Sequence, residues 1–336
     1  MLEAPVAGRL SLSTVSCRAG ETATSTGPIR MRLTLAALAA SISLAACISS
    51  SAVVDPVETR TPITFSQLLN QPRQDADRRI VYGADPLQFG ELWVPKAGRR
   101  HPVIVLIHGG CWRADLPGTE LMDYMAADLR DRGYAVWNLE YRRIGHPGGG
   151  YPGTFQDIAA GIDQLRTLAP QYGLDLRRVV VSGHSAGGHL ALWAAGRDRL
   201  PASSPLRVEN PLSVRGAVPL AGIADLASYR ETGPDACGGP ATIDGLVGVE
   251  GTDGRDVFAD TSPPALLPLG DRQVVVSGAL DHIVPPRFGQ AYAAAASSAG
   301  DPANSVVLEG AGHFELIDPT SAVWPRILRA YSDLLR

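Results

Sequence analysis

The fold is decided by one short stretch, Val179-Val180-Val181-Ser182-Gly183-His184-Ser185-Ala186-Gly187-Gly188-His189-Leu190. It opens with a β-branched run typical of a buried strand, and residues with helical spacing follow the glycines. The G-x-S-x-G pattern between them predicts a tight turn from strand to helix, which only small neighbouring residues allow. Because such a turn exposes the serine hydroxyl at the end of the strand, the sequence predicts that Ser185 is a nucleophile.

On both sides of this stretch, short β-branched runs alternate with longer helical patterns. The predicted strands are Arg79–Tyr82, Leu87–Val94, Pro102–Ile107, Ala135–Glu140, Arg178–Ser182, Gly216–Leu220, Gln273–Ser277 and Ser305–Leu308. The predicted helices are Leu121–Arg132, Thr154–Leu168, Gly187–Arg197, Pro286–Ser298 and Ala322–Leu335. This alternation predicts an α/β fold, with a mostly parallel central sheet flanked by helices on both faces.

Composition and charge exclude some classes of protein. The chain has 336 residues, of which 45% are hydrophobic and 19% charged. A sizeable buried core is therefore expected, and global disorder is not. The net charge is −4 and no basic block stands out, so no nucleic-acid partner is expected.

The N-terminus has the pattern of an export signal. Arg30-Met31-Arg32 precedes an apolar run, Leu33–Ala46. The run is shorter than the roughly 20 residues that span a bilayer, but it suits the core of a signal peptide. It ends in Leu44-Ala45-Ala46-Cys47, which resembles the lipobox of bacterial lipoproteins, where the cysteine carries the lipid. A long polar stretch does not normally precede the charges of a signal, so Met31 is the expected start.

These features predict the organisation and location of the protein. Residues 1–46 would be a dispensable extension with a lipoprotein-type signal, 47–77 a tether and 78–336 the catalytic domain. We therefore expect an exported protein in a bacterial cell envelope, with a lipid anchor at Cys47 as its membrane contact. A simple secretory signal or a buried helix is the alternative interpretation, and a cytoplasmic location is less expected.

A second motif, His108-Gly109-Gly110-Cys111-Trp112, directly follows the apolar run Val103–Ile107. A loop in this place donates backbone N–H groups to a developing oxyanion, together with the residue after the nucleophile. The predicted donors are therefore the amides of Gly110, Cys111 and Ala186. His108 lies on the wrong loop for a general base, so we interpret it as a packing residue.

The base and its acid are predicted from chain order. After such a serine, an acid and then a histidine follow at the carboxyl ends of later strands. His313 follows the predicted strand 305–308 through a glycine-containing loop and is the predicted base, preferred to His189 and His282. Asp281 follows the strand 273–277 and is the predicted acid. Two other carboxylates fit less well, because Asp271 precedes that strand and Asp301 lies between elements.

The stretch Ala221–Leu267 has weak patterning and many Gly, Pro and Asp residues. It lies between two strands, where a lid or a substrate-shaping excursion would fit. Cys237 lies within it, and an oxidising compartment would permit a disulfide with Cys111. Two separate thiols are equally compatible with the sequence.

Together, four motifs resemble the α/β-hydrolase superfamily: His108-Gly109-Gly110-Cys111-Trp112, Tyr141-Arg142-Arg143, residues 183–190 and Asp281-His282-Ile283-Val284-Pro285. The resemblance covers roughly residues 78–336. It is strongest to the bacterial branch near hormone-sensitive-lipase-like esterases, feruloyl-esterase-like proteins and kynurenine formamidases. The H-G-G-x-W form looks like the formamidase version, with Cys111 in place of the third glycine of lipase-type esterases.

The resemblance implies a serine hydrolase without metal or cofactor, acting on carboxylic esters of small or aryl substrates. Ser185, His313 and Asp281 would form its triad. An arylformamidase or a prolyl-oligopeptidase-like peptidase remains an alternative, although an export signal argues against a formamidase of tryptophan breakdown. In a different class, the chain would be a non-catalytic relative used as a binding module. The oligomeric state is left open.

Overall fold

A mostly parallel sheet forms the centre of this computed structural model, which describes residues 61–98, 100–250 and 254–336. Within these ranges the sheet has eight strands, in the order β1-β2-β4-β3-β5-β6-β7-β8. The strands are β1 Arg78–Val81, β2 Phe89–Trp93, β3 His101–Ile107, β4 Ala135–Leu139, β5 Leu174–His184, β6 Gly216–Leu220, β7 Arg272–Gly278 and β8 Ala303–Leu308. The pairs β1–β2 and β2–β4 are antiparallel, and the other pairs are parallel. The predicted α/β fold is confirmed.

Helices cover both faces of the sheet. They are α1 Phe65–Leu69, α2 Asp123–Asp131, α3 Gly153–Asp163, α4 Leu165–Tyr172, α5 Ala186–Ala195, α6 Leu226–Thr232, α7 Pro240–Val247, α8 Pro286–Ser298 and α9 Trp324–Leu335. Alternate residues of β3 pack into two separate apolar clusters, one with α3, α5 and α8 and the other with α2 and α9. β3 is therefore covered on both sides, as its continuous apolar run predicts.

The helices differ from the sequence prediction in two places. The single helix predicted for 154–168 is divided at Gln164, where the N–H of Thr167 bonds three residues back rather than four, and α4 continues to Tyr172. The excursion 221–267 contains α6 and α7, which weak patterning concealed. Asp225 caps α6 by accepting from the N–H of Ser228, and a glycine in the left-handed region ends α7.

Residues 61–77, which were predicted as part of a tether, fold onto the domain. Within them, α1 begins at a capping box between Thr64 and Gln67, and Leu68 is fully buried. We call residues 62–71 the N-terminal arm. The predicted signal and Cys47 lie outside the described residues. Among the residues that are described, no helix has both the length and the apolarity of a membrane span.

One glycine of β2 makes room for a large core side chain. The indole of Trp137 on β4 lies against Gly90, and a Cβ there would lie 2.4 Å from two of its ring carbons. Trp137 is fully buried and donates its indole N–H to the carbonyl of Gly161 at 2.8 Å. The indole therefore has little freedom to move, and any side chain at position 90 must displace it.

We expect Gly90→Ala to lower the free energy of unfolding by about 1–3 kcal/mol, the usual cost of overpacking a core. The matched control is Gly245→Ala in α7, where an added Cβ would meet no atom closer than 3.6 Å. That change should be neutral or stabilising by up to ~1 kcal/mol, because alanine favours helix. Chemical denaturation of the two variants measures the difference, and a Gly90→Ala variant as stable as wild type would contradict this packing.

Candidate active site

Ser185 lies on a strained turn between β5 and α5, with φ 56° and ψ −117°. The turn is possible because Gly183 and Gly187, two residues to either side, lack side chains. A Cβ at Gly183 would lie 2.2 Å from the carbonyl oxygen of Gly187, and one at Gly187 would lie 2.0 Å from that of Ile107. The Ser185 N–H donates to the carbonyl of Leu220 at 2.9 Å, which ties the turn to β6. The predicted strand–turn–helix geometry is therefore present.

His313 and Asp281 are in direct contact. Nδ1 of His313 lies 2.7 Å from Oδ2 of Asp281, and both side chains are buried. The other carboxylate oxygen, Oδ1, accepts the N–H groups of Ile283 and Val284, each at 2.8 Å. These two bonds fix the carboxylate in the orientation that meets the imidazole. Nε2 of His313 has no hydrogen-bond partner among the described residues, and His313 and Ser185 line one pocket.

The rejected carboxylates lie elsewhere. Asp301 is buried, and its two oxygens accept the N–H groups of Leu269 and Gly270 and an amide N–H of Gln273 at 2.8–2.9 Å. It braces the loop that enters β7, at the end of the strand opposite to Asp281. Burial raises the pKa of the neighbouring Asp271 to about 6, helped by the negative charges of Asp198 and Asp301.

The two histidines that were not predicted as the base, His189 and His282, lie in other surroundings. Nε2 of His189 is 2.8 Å from the carbonyl of Thr261 in the core. Burial lowers the pKa of His189 to about 4, against the opposing effect of that carbonyl. His282, beside the predicted acid, has an exposed side chain. Of the three histidines that follow Ser185, the structure pairs His313 with a carboxylate.

The loop predicted to donate to an oxyanion, residues 108–112, has the unusual backbone that its glycines predict, and we call it the oxyanion loop. Gly110, Cys111 and Trp112 have φ values of 96°, 50° and 54°. For the two residues with a side chain, this left-handed conformation costs roughly 1–3 kcal/mol each. The amides of Gly110, Cys111 and Ala186, the predicted oxyanion donors, bond to no acceptor in the described part of the chain. They are therefore available to a ligand.

A disulfide joins this loop to the excursion. Cys111 and Cys237 are bonded, with their Cα atoms 5.3 Å apart, which answers the question that the sequence left open. Cys237 lies in a short 3-10 turn, and its neighbour Ala236 lines the pocket around Ser185. The excursion therefore contributes to the site, and the disulfide attaches that part of it to the oxyanion loop.

The pocket is small and mostly apolar. It has a volume of about 150 Å³. It is lined by Phe65, Gly110, Cys111, Leu116, Leu121, His184, Ser185, Ala236, Ile283, His313 and Phe314. A larger cavity of about 250 Å³ lies beside Asp271, and its lining does not include Ser185. The smaller cavity is the candidate site because it contains the chemically reactive groups.

His184, which precedes the nucleophile, is a site residue that sequence reasoning left without a role. Its Nε2 lies 3.0 Å from the carbonyl oxygen of His313, and the two rings are 4.4 Å apart. Burial, and then repulsion by the protonated form of His313, lower the pKa of His184 well below its usual value, and the bond to the carbonyl opposes them only in part. A neutral His184 therefore donates to the His313 carbonyl and supports the loop that carries His313.

The N-terminal arm forms one wall of the pocket, which the sequence reasoning also missed. Phe65 lies against Phe314, with ring centroids 5.5 Å apart. The Glu315 carboxylate accepts the N–H of Ile63 through one oxygen and that of Gly312 through the other. It thereby joins the arm to the loop that carries His313. The capping-box pattern from Thr64 to Gln67 is the sequence signal that indicates a helix here.

Comparisons with known proteins agree with this architecture. A BD-FAE family model matches residues 91–295. The chain belongs to the BD-FAE family. The match covers β2 to α8, and therefore includes the oxyanion loop, the turn at Ser185 and Asp281, whereas His313 and the N-terminal arm lie outside it.

Two curated relatives of this BD-FAE chain are esterases of Mycobacterium tuberculosis. Esterase LipC is 31% identical over 149 residues, which cover 43% of this chain and 35% of LipC. Esterase LipQ is 28% identical over 131 residues, which cover 39% of this chain and 30% of LipQ. The match thus spans about a third of each relative's own length.

Solved structures share the fold at lower identity. Esterase B from Lactobacillus Rhamnosis (HN001) is 21% identical with a TM-score of 0.66, covering 80% of this chain and 90% of that one. A truncated carbohydrate esterase from gut microbiota is 19% identical with a TM-score of 0.65, covering 82% and 99%. At this level of identity the likeness establishes the α/β-hydrolase fold.

We expect Glu315→Ala to loosen the N-terminal arm. A hydrogen bond to a charged group contributes about 1.5–3 kcal/mol, so amide exchange across residues 63–69 should accelerate about 10- to 100-fold. Hydrogen exchange read by mass spectrometry measures this, with Glu309→Ala as the control because Glu309 is exposed on the preceding turn. Unchanged exchange in the arm of the Glu315 variant would show that this carboxylate does not hold it.

Proposed function

We propose that this protein is a carboxylic ester hydrolase that works through an acyl-enzyme on Ser185. One observation carries the proposal: the buried Asp281–His313 pair and the strained Ser185 turn meet at one apolar pocket whose loop has unpaired amides. An acyl-transfer enzyme needs a nucleophile, an oriented base and donors for the oxyanion, and these three requirements correspond to those features. The esterase names of several relatives support the same assignment.

In the proposed reaction, Oγ of Ser185 attacks the acyl carbon while Nε2 of His313 takes its proton. Asp281 keeps the other ring nitrogen protonated and stabilises the imidazolium that forms. The amides of Gly110, Cys111 and Ala186 donate to the oxyanion. The alcohol leaves with the proton from His313, and water then attacks the acyl-enzyme, giving its proton to His313. His313 returns that proton to Oγ as the bond from Oγ to the acyl carbon breaks, which releases the carboxylic acid and restores Ser185, with no metal or cofactor in any step.

The size of the pocket favours small acyl groups. Sites that enclose a whole drug-sized ligand measure roughly 300–1,000 Å³, whereas this cavity holds about 150 Å³. It would accommodate a short acyl chain or a single ring, with the rest of the substrate outside. Phe65 and Phe314 offer aromatic surfaces to such a group. The proposed substrates are therefore small-molecule esters with a short or aryl acyl group.

We propose further that the protein is exported and anchored by lipid at Cys47 in the cell envelope. The disulfide supports this location, since disulfides persist in oxidising compartments and are rare in the cytosol. A folded arm that begins near residue 62 leaves a short connection to Cys47, so the anchor would hold the domain close to the membrane.

The proposal predicts that wild type hydrolyses chromogenic acetate and benzoate esters faster than esters of long acyl chains. Ser185→Ala should lower kcat at least 10⁴-fold with the fold intact, as expected for loss of a nucleophile. Kinetic assays across acyl-chain lengths, with an N-formyl anilide and a peptide anilide alongside, measure both. Faster cleavage of the formyl anilide or the peptide would favour a formamidase or a peptidase. A rate unaffected by Ser185→Ala would indicate a non-catalytic relative.

Two isosteric substitutions separate the proposed acid from its nearest competitor. Asp281→Asn should lower kcat by about 10⁴, because the imidazole loses the partner that sets its tautomer. Asp301→Asn should leave kcat within about twofold of wild type but lower the melting temperature, because it weakens the three bonds that brace the loop before β7. Kinetics and thermal denaturation of both variants test this, and an Asp281 variant that keeps the wild-type kcat while the Asp301 variant loses it would remove Asp281 from its assigned role.

A further inference from the structure

His108 is the first residue of the oxyanion loop, and its side chain is fully buried. Its Nδ1 is 2.8 Å from the carbonyl oxygen of Gly109, and its Nε2 is 3.0 Å from Oε1 of Glu140. A carbonyl and a carboxylate are both acceptors, whereas a neutral imidazole carries a single N–H. The protonated ring, with two N–H groups, satisfies both contacts. The neutral ring would leave a buried lone pair facing an oxygen.

The surroundings of Glu140 keep it ionised. Burial raises the pKa of Glu140, but the hydrogen bond of His108 with the charge of its protonated form, the charge of Arg143 and the N–H of Tyr141 bring it down to about 2. The Tyr141 N–H donates to Oε1 at 2.9 Å, and a guanidinium nitrogen of Arg143 lies 3.5 Å from the same atom. With His108 protonated, the group of His108, Glu140 and Arg143 carries one net positive charge under the oxyanion loop.

The ring is also held in place. Tyr141 stacks on it, with centroids 4.4 Å apart and 16° between the planes, and donates its hydroxyl to the His108 carbonyl at 2.9 Å. Gly118 leaves space for Glu140, because a Cβ there would lie 2.1 Å from Oε2. On the other side of the loop, an added Cβ at Gly109 would lie 3.0 Å from Nδ1 of His184, which burial keeps neutral. Within the described residues, the charged groups on the side of the His108 ring are Glu140, which bonds to the ring, and Arg143, which pairs with Glu140.

The contact with Gly109 links this charge to the proposed chemistry. The carbonyl of Gly109 and the N–H of Gly110 belong to one peptide group. A donor on the carbonyl polarises that peptide and makes its N–H a stronger donor, as in other chains of hydrogen bonds. We propose that His108 is a protonated positioning residue that polarises the Gly109–Gly110 peptide toward the oxyanion. The inference rests on the proposed function, because it needs the Gly110 amide to be an oxyanion donor.

The protonation state can be measured without any activity. In wild type labelled with ¹⁵N-histidine, we expect His108 to carry a proton on both ring nitrogens at the pH of the kinetic assays, seen in its nitrogen shifts and one-bond N–H couplings. The spectrum of a His108→Gln variant assigns the signals, and Glu140→Gln should convert the ring to the neutral form at that pH. A neutral His108 in wild type would overturn the inference while leaving the hydrolase assignment intact.

Kinetics test the effect on catalysis. His108→Gln should lower kcat about tenfold with KM within twofold, less than the 10²–10³ that removal of a whole oxyanion donor costs. Affinity for a phenylboronic acid, whose adduct with the serine is tetrahedral and anionic, should fall by the same factor as kcat/KM. The control is His101→Gln at the other end of β3, which should leave kcat unchanged.

The outcomes separate the inference from the proposed function. A His108→Gln variant with unchanged kcat, or with a loss confined to KM and thermal stability, would show a structural role only and overturn the inference. Wild type that hydrolyses no ester would instead contradict the proposed function, and the spectrum would still decide the charge of His108. If the variant does not fold, the wild-type spectrum and the Glu140→Gln variant carry the test.

Discussion

The contact between the backbones of β3, β5 and α5 at the serine turn is the constraint on which the site depends. Ser185 keeps a conformation that costs roughly 1–3 kcal/mol because Gly183 and Gly187 let the strand, the turn and the helix meet without side chains. The atom that Gly187 approaches is the carbonyl of Ile107, at the end of β3. The same close approach therefore places the oxyanion loop, which follows β3, beside Ser185.

The proposed base, His313, is positioned by hydrogen bonds that involve several ionisable side chains around it. Asp281 is oriented by two backbone amides and meets Nδ1 of His313, while neutral His184 holds the backbone of the same residue. Glu315 then joins the His313 loop to the N-terminal arm, so the wall of the pocket and the base share one support. The pocket and the catalytic groups are in this way parts of a single packed unit.

Much of the fold and of the candidate site could be predicted from the sequence. The eight strands follow from β-branched runs, and the strand ends predicted the contact between Asp281 and His313 because parallel strands finish at one edge. The arm was missed, since five helical residues carry little periodicity and α1 owes its place to contacts with residues some 250 positions away. Whether Cys111 and Cys237 form a disulfide could be decided only once their separation in the fold was known. The proposed role of His108 could be inferred only once the two acceptors at its ring were seen.

The central claim is that Ser185 becomes acylated, and trapping the modified enzyme tests it most directly. Wild type is treated with a fluorophosphonate, which reacts with serines activated by a base, and the digested protein is mapped by mass spectrometry. We expect one adduct per chain, on the peptide that contains Ser185, and none in a His313→Ala variant. An adduct on another residue, or wild-type protein that stays unlabelled although folded, would contradict it.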